Sequence, residues 1–417
     1  MVPTRRRREP DHDHPIVPAE ATYPSIRRLT PLPATTKPSA AGPGGLRWRH
    51  RRHGHLGHLI AYPTDRLRLG RRRGPVRPYL SHGPPPPGPR HHPDLAFLDR
   101  RALHFEADAA PWGHCALSGW ILDPDRKKMS KSKGNVVTPV DLLDQHGSDA
   151  VRYWAANGRP GTDTAFDDGQ MKIGRRLAIK VLNASRFTLG FGADGDTPLA
   201  IDAAAITHPL DRAMLLNLAD LVDEATRALD GFDYARALDR TETWFWTFTD
   251  DHVELVKNRA YEGDEAGAES ARHALRLALS TLLRLFAPFL PFVTEEVWSW
   301  WRGGSIHRQS WPSAEELRAD ADRGEYVDPA IAEVAAAALA EIRRHKTTEK
   351  RSLATPVIAC TLTDTPDRLA LLRPALDDVA AAARATSIDL AEGDSLSTNV
   401  TLEPVEPRSV GDQPPVD

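Results

Sequence analysis

The chain has few of the features that mark secreted or membrane-embedded proteins. Its 417 residues include only two cysteines, Cys115 and Cys360, which are too few for a disulfide framework and indicate a reducing compartment. No apolar run approaches the roughly 18 residues of a membrane span. The Arg5–Arg8 cluster has no apolar segment behind it, so we expect no secretory signal. The sequence therefore predicts a cytoplasmic protein that does not enter a membrane.

Charge is distributed unevenly along the chain. The net charge is −3, yet residues 1–103 carry nineteen arginines, one lysine and seven acids, so the remainder is acidic. Taken as it stands, this segment lacks helical or strand periodicity and is predicted to be a disordered basic arm that could contact RNA. Its histidines have no cysteine or carboxylate cluster beside them, and we expect no metal site there.

One octapeptide has the composition of a phosphate-binding loop. It follows an apolar run at residues 116–122 and a turn at residues 123–125. Lysines supply movable positive charges, while hydroxyl and backbone N–H groups occupy the remaining lone pairs of a phosphate. Such charges matter most in nucleotidyl transfer, where negative charge builds on departing pyrophosphate. The alternative is a solvated basic turn. The octapeptide reads Lys128-Met129-Ser130-Lys131-Ser132-Lys133-Gly134-Asn135.

This octapeptide resembles the second signature loop of class I aminoacyl-tRNA synthetases, the loop that closes over ATP. Other segments are similar to the valyl members of that class, and they lie at residues 135–139, 141–143, 146–154, 161–167, 174–176, 180–187 and 286–298. The isoleucyl and leucyl members share the loop and the Gly-x-Asp-Ala step, but they fit residues 161–167 and 305–307 less well.

The resemblance implies ATP-dependent activation of valine and its transfer to tRNA, with Mg²⁺ accompanying the pyrophosphate. Lys128 and Lys131 would be catalytic through the charge on the leaving phosphates. The ATP-binding residues would be Lys128, Met129, Ser130, Lys131 and Ser132. A basic stretch at residues 172–191 could follow a phosphate backbone, or it could be a plain solvated face. Its predicted tRNA contacts are Arg175, Arg176, Lys180 and Arg186.

Periodicity and resemblance together predict a mainly α protein. The end of a Rossmann-like catalytic domain would occupy residues 104–165, followed by a helical-bundle anticodon-binding domain at 166–315. A small α/β appendage would follow at 328–404, with a disordered tail at 405–417. Thr294 is predicted to cap a helix whose first turn holds Glu295 and Glu296. Four tryptophans could stack on anticodon bases, although core packing is the favoured role of each: Trp244, Trp246, Trp300 and Trp301.

Residues 1–103 have a second interpretation, as a frameshifted translation. Residues 90–102 can be encoded by bases that read His-Asp-Ile-Ile-Arg-Thr-Trp in another frame, which is similar to a family segment expected just before His104. Residues 52–66 can hide a second family-like peptide in the same frame. Both matches favour a shift near Ala102–His104, and the basic charge before it would then have no function.

Parts of the family's catalytic machinery are absent from this sequence. No His-x-Gly-His loop follows a first Rossmann strand, and His55–His58 imitates that motif in the wrong surroundings. No editing insertion is recognisable. We therefore expect a C-terminal portion that is inactive alone and works with a missing N-terminal portion. Two alternatives remain, an isoleucyl-type fragment and a non-catalytic tRNA-binding module.

Overall fold

The structure is a computed structural model that describes residues 118–191, 199–322 and 326–404. The predictions made for residues 1–103 and 405–417, and for Cys115, lie outside this range. Within it, most residues are α-helical, and two small sheets complete the fold. The prediction of a mainly α protein is confirmed.

The segment around the octapeptide is built on a short parallel sheet. Strand β1 (Ile121–Leu122) pairs with β2 (Thr164–Ala165). Gly119 lies so close to the carbonyl group of Thr162 that a Cβ atom there would collide with it. Two helices follow the loop, α1 (Pro139–His146) and α2 (Ser148–Ala156). A small apolar core unites this segment with the next helix, and its members are Leu142, Ala150, Trp154 and Met171.

Long amphipathic helices form the centre of the molecule. Asp167, Asp233 and Asp264 each cap the helix that follows, accepting a hydrogen bond from a first-turn backbone N–H. One α-helix ends at Gly231, as the sequence predicts. The helices are α3 (Asp168–Gly190), α4 (Pro209–Asp230), α5 (Tyr234–Thr247), α6 (Val253–Glu262), α7 (Glu265–Phe286), α8 (Pro291–Ser299) and α9 (Ala314–Ala321). A π-helical segment, Phe248–His252, joins α5 to α6 without a break.

The prediction for the start of α8 is wrong. Thr294 lies inside this helix, and its hydroxyl group donates to the carbonyl oxygen of Leu290 at 2.9 Å. The first N–H groups of α8 are instead satisfied by Asp149 of α2, which accepts from Phe292 at 3.1 Å and Val293 at 2.8 Å. A carboxylate distant in sequence thus replaces the local cap.

A small α/β unit packs against the central helices. Its sheet consists of β3 (Val357–Asp364), β4 (Ile388–Glu392) and β5 (Ser397–Leu402) in the order β4-β3-β5. Strand β4 is parallel and β5 antiparallel to β3. Pro374 lies in a 3₁₀ turn that divides the predicted helix at residues 368–383 in two. Cys360 is buried, and burial raises the pKa of its thiol to about 11. The elements are α10 (Ala330–Thr348), β3 (Val357–Asp364), α11 (Pro366–Leu372), α12 (Leu376–Ala383), β4 (Ile388–Glu392) and β5 (Ser397–Leu402).

A buried guanidinium joins this unit to the central helices. Arg259 of α6 donates to both carboxylate oxygens of Asp211 on α4, at 2.8 and 2.9 Å. Its Nε donates to Asp378 of α12 at 3.0 Å. Burial pushes the pKa of Asp211 upward, but Arg259 more than offsets that effect and holds the pKa below its ordinary value. The network therefore has a compensated charge at its centre.

Candidate functional site

The octapeptide forms an exposed loop at the end of β1. A turn over residues 123–127 reverses the chain, with Arg126 at a φ of +60°, and Lys128 then forms an isolated antiparallel bridge to Leu122. Residues Lys131–Lys133 make one 3₁₀ turn, and Gly134 leaves it at a φ of +69°. A positive φ suits glycine because it has no Cβ atom. The loop thus begins from a fixed strand end.

The side chain of Asn135 fastens both ends of this loop. Its Oδ1 accepts from the backbone N–H of Ser130 at 2.9 Å. Its Nδ2 donates to Asp123 at 2.7 Å and to the carbonyl oxygen of Lys128 at 3.3 Å. Asp123 also accepts from the N–H of Lys127 at 2.7 Å. We call Asp123 and Asn135 the loop clamp.

The carboxylate of the clamp is ionised. Asp123 is only 6% exposed, and the hydrogen bond from Asn135, aided by the N–H of Lys127, holds its pKa below the ordinary value. An ionised carboxylate is the better acceptor for both donors. The clamp therefore ties the start of the loop to the turn after β1 through charge-assisted hydrogen bonds.

Lys128 reaches out from the loop and lies over an aromatic ring. Its Nζ is 3.9 Å from the ring centroid of Trp120, within the range of a cation–π interaction. The backbone N–H of Trp120 donates to Asp163 at 2.7 Å, which ties the residue just before β1 to the loop before β2. Lys128 is exposed, so its ammonium group can leave the ring for an anion.

The hydroxyl groups of the loop face each other. Oγ of Ser130 and Oγ of Ser132 lie 2.6 Å apart. Met129 is half-buried and Ser132 is exposed. The side chain of Lys131 lies outside the described part of the structure, so its predicted role stays a prediction. One exposed ammonium group and two paired hydroxyl groups fit an anionic ligand such as a polyphosphate.

Two of the sequence motifs meet behind the loop. Asp149 caps α8, as described above, and Arg152 of α2 donates to the carbonyl oxygens of Pro288 at 2.7 Å and Phe289 at 3.3 Å. Burial raises the pKa of Asp149, although the N–H groups of α8 counteract this. These contacts couple the loop segment to the central helices. We call Asp149 and Arg152 the helix clasp.

The predicted tRNA contacts lie along α3. Arg175 donates to the carbonyl oxygen of Gln145 at 3.1 Å, and Arg176 is exposed. Lys180 forms a 2.9 Å ion pair with Asp250. Arg186 lies with its guanidinium carbon 5.4 Å from the ring centroid of Trp300. All four side chains are at least partly accessible, and three of them, Arg175, Lys180 and Arg186, already contact other protein groups.

The four predicted base-stacking tryptophans are half-buried and pack against the hydrophobic core. Trp246 and Trp300 each place their indole N–H near a glutamate of the same helix, Glu242 at 3.4 Å and Glu296 at 3.0 Å. These contacts agree with the core-packing interpretation.

The loop clamp, the contact of Trp120 and the roles of the helix clasp were not predicted from the sequence. Asp123 was interpreted only as a turn residue, and Asn135 only as the end of the octapeptide. Asp149 and Arg152 were noted only within a family-like segment. A signal was present, because each is a polar or aromatic residue beside a motif, but the contacts that define the loop clamp and the helix clasp join residues 12 to 144 positions apart.

The described ranges contain no group of three or more His, Cys, Asp or Glu side chains able to hold a metal ion. In the same ranges, no helix is long and apolar enough to cross a membrane.

Two family models match the chain. The model described as tRNA synthetases class I (I, L, M and V) matches residues 101–167. The model described as anticodon-binding domain of tRNA ligase matches residues 211–360. The first match includes the octapeptide, and the second runs from α4 into β3.

Curated valine–tRNA ligases are similar to this chain. The protein of Thermobifida fusca is 53% identical over 305 residues, which cover 73% of this chain and 34% of that protein. The protein of Salinispora tropica is 53% identical over 312 residues, covering 72% and 36%. That of Cutibacterium acnes is 42% identical over 412 residues, covering 94% and 44%, so this alignment extends into residues 1–103. The chain spans less than half the length of these relatives.

Among solved structures, a LeuRS–tRNA–LeuAMS ternary complex from Agrobacterium radiobacter superposes with a TM-score of 0.46 and 20% identity, covering 55% of this chain and 28% of that chain. The sequence relatives and both family models agree with the resemblance noted from the octapeptide. Over its C-terminal part the chain is therefore a homologue of curated valine–tRNA ligases, and it matches models of a class I tRNA synthetase domain and of an anticodon-binding domain.

Proposed function

We propose that this chain serves in charging tRNA with valine, by contributing the ATP-binding signature loop and the anticodon-binding helices. The observation that carries this proposal is the complete octapeptide held by the loop clamp, in one chain with a region at residues 211–360 that is matched as an anticodon-binding domain. A solvated basic turn would not need a buried carboxylate and an amide to hold it.

The chemistry assigned to the loop is charge stabilisation. Valine's carboxylate attacks the α-phosphate of ATP, the bond between the α- and β-phosphates breaks, and pyrophosphate leaves. Lys128 and Lys131 neutralise the charge that builds on the departing phosphates, while Ser130 and Ser132 donate hydrogen bonds to them. Loop closure brings Lys128 from the ring of Trp120 onto the phosphates. Mg²⁺ would accompany the departing pyrophosphate, as the resemblance implies, and no residue of this chain is assigned to hold it.

The assigned partner of the helices is tRNA. Arg175, Arg176, Lys180 and Arg186 are placed along α3 against the phosphate backbone, which they recognise by charge and not by sequence. We assign the reaction to the cytoplasm. Synthesis of valyl-tRNA also needs an adenine site and an editing site, which we assign to the portion of the relatives that this chain does not span.

The loop assignment can be tested with inorganic tripolyphosphate, which needs no adenine site. We expect Lys128→Ala and Lys131→Ala each to weaken binding about five- to tenfold, since each removes one charge-assisted contact. Lys127→Ala is the matched control, because Lys127 is equally close in sequence but points to Asp125, at 3.4 Å. Equal losses in all three variants would refute a specific role for the loop and leave only general electrostatic attraction.

The tRNA assignment can be tested by the salt dependence of binding. Arg176→Ala and Arg186→Ala should each reduce the slope of log K against log salt by about one, if each contacts one phosphate. Arg344→Ala, an exposed arginine on α10 paired with Glu341, is the control and should leave the slope unchanged. Identical slopes in all variants would show that α3 does not face tRNA.

A non-catalytic tRNA-binding module is the second candidate, because the chain spans only 34–44% of the relatives' lengths. Pyrophosphate exchange separates the two. The isolated chain should show none, whereas the chain combined with the missing catalytic portion should show exchange that Lys131→Ala abolishes. Exchange that is insensitive to Lys131→Ala would refute the assigned mechanism.

A further inference from the structure

A cavity of about 500 Å³ lies among α4, α5, the π-helical segment and α10. It shares no residue with the signature loop or with the four predicted tRNA contacts on α3. Its lining includes the aromatic rings of Trp244 and Phe248. It also includes four carboxylates, those of Asp220, Glu224, Asp251 and Glu333. Pockets of this size accept small organic molecules.

Three stacked rings form part of the lining. Trp244 and Phe248 have centroids 5.8 Å apart and planes 13° apart. Phe248 and His252 continue the stack at 6.2 Å and 19°. The π-helical segment carries the second and third of these rings, and insertions of this kind often occur at functional sites. Phe248 and His252 are buried and Trp244 is half-buried, so the indole ring of Trp244 is the part of the stack that a ligand would meet.

His252 ends the stack in an unusual environment. It is 5% exposed, and neither ring nitrogen has a hydrogen-bond partner among the described residues. Burial lowers the pKa of His252 to about 4, so the ring is neutral at physiological pH. A neutral imidazole adds no positive charge to the cavity.

Two of the four carboxylates in the lining form ion pairs with arginines, and two do not. Glu224 pairs with Arg236 at 2.7 Å and Arg240 at 3.2 Å. Asp220 pairs with Arg318 at 2.7 Å. In the described part of the chain, Asp251 and Glu333 have no ion-pair partner. Arg240 also lines the cavity but is paired with Glu224, so within the described residues the lining keeps two carboxylates that have no ion pair, beside an aromatic wall.

The surroundings of Asp251 support this imbalance. Burial and the neighbouring charge of Asp250 raise the pKa of Asp251, while Arg343 of α10 counteracts them only partly. A bound cation would favour the ionised form of this carboxylate.

From this geometry we propose that the cavity binds a small organic cation with a flat body, such as an aromatic amidinium or guanidinium compound. The charged end lies between Asp251 and Glu333, and the flat body lies against Trp244. A cation gains both from the carboxylates and from the negative face of an indole ring. A phosphodiester chain is repelled by the same carboxylates, so the cavity is not assigned to RNA.

Benzamidine is the probe, titrated into the full chain and followed by ligand-observed NMR, with neutral benzamide as its uncharged analogue. We expect saturable benzamidine binding, and benzamide binding at least about tenfold weaker because it lacks the charge. Asp251→Asn and Glu333→Gln should each weaken benzamidine binding about three- to tenfold.

Asp239→Asn is the matched control. Asp239 is an exposed carboxylate on α5 that does not line the cavity, so its loss should leave benzamidine affinity unchanged. The two cavity variants lie on different elements, so misfolding of one would leave the other informative. Equal binding of benzamide, equal loss in Asp239→Asn, no saturable binding, or displacement of benzamidine by a short single-stranded RNA would each overturn the proposal.

Discussion

Asn135→Ala is the perturbation that most directly tests how the signature loop is held. The change removes the acceptor for the N–H of Ser130, at 2.9 Å, and the donor to Asp123, at 2.7 Å. A hydrogen bond of this kind contributes about 0.5–1.5 kcal/mol, so amide exchange at Ser130 should accelerate about two- to tenfold. Hydrogen exchange resolved by residue with NMR measures this.

The same variant should change the titration of Asp123. The hydrogen bond from Asn135 is the main reason that the pKa of Asp123 lies below 3.8, so its loss should raise that pKa toward 3.8. A lowered pKa stabilises the folded loop above the ordinary pKa, and this stabilisation is lost as the pH falls through the lowered value. In the parent, protection of the Ser130 amide from exchange should therefore decrease as the pH falls through the lowered pKa of Asp123. In Asn135→Ala this decrease in protection should be smaller.

Asn157→Ala is the matched control for this experiment. Asn157 also bonds through its amide, to the carbonyl oxygen of Tyr153 at 3.0 Å, but it lies outside the loop. It should leave both Ser130 exchange and the pKa of Asp123 unchanged. If Asn135→Ala changes neither quantity, the clamp does not hold the loop, and the reasoning about its conformation is wrong.

Three further predictions concern stability. Arg259→Met leaves two buried carboxylates without their guanidinium and should lower the free energy of unfolding in urea by about 3–5 kcal/mol. Arg318→Met, in an exposed ion pair, should lower it by less than about 1 kcal/mol. Similar losses in the two variants would contradict this prediction. Gly119→Ala should cost about 1–3 kcal/mol through collision with a facing carbonyl group, whereas Gly303→Ala, with open space around its Cβ position, should be nearly neutral. His252 stays neutral in the folded state down to about pH 4, so on acidification the unfolded state binds a proton at this residue first. The free energy of unfolding should therefore fall by about 3 kcal/mol as the pH drops from about 6.5 to 4. If the free energy of unfolding of His252→Gln depended on pH as steeply as that of the parent, this reasoning would be refuted.

Much of the fold could be predicted from residues that are close together in the chain. The helix at α4 has proline at its first position and glycine just after its end, and both signals act within one turn. The strand at Val357–Asp364 and the helix at Ala330–Thr348 follow from local periodicity in the same way. The sequence predicts one helix at residues 368–383, with Pro374 as an alternative start because proline suits a first helical turn, whereas the structure has a helix on each side of Pro374.

The residues of the signature loop could be predicted from the sequence, but the contacts that hold the loop in place could not. The octapeptide identified the loop and its lysines, since their spacing along the chain is itself the signal. The clamp between Asp123 and Asn135 depends on a reversal of the chain that no local preference specifies. The start of α8 was mispredicted for the same reason, because Asp149 caps it from 143 residues away.

The sequence by itself therefore determined the kind of chemistry and the helical character of the chain. Charge, hydroxyl content and the spacing of apolar residues are properties of residues that lie close together in the sequence. Folding alone settled which carboxylate is buried, which guanidinium is shared and which rings line a cavity. Arg259 illustrates the difference, since its partners Asp211 and Asp378 lie 48 and 119 residues away. Desolvation and hydrogen-bond geometry depend on neighbours in space, and those neighbours exist only once the chain has packed.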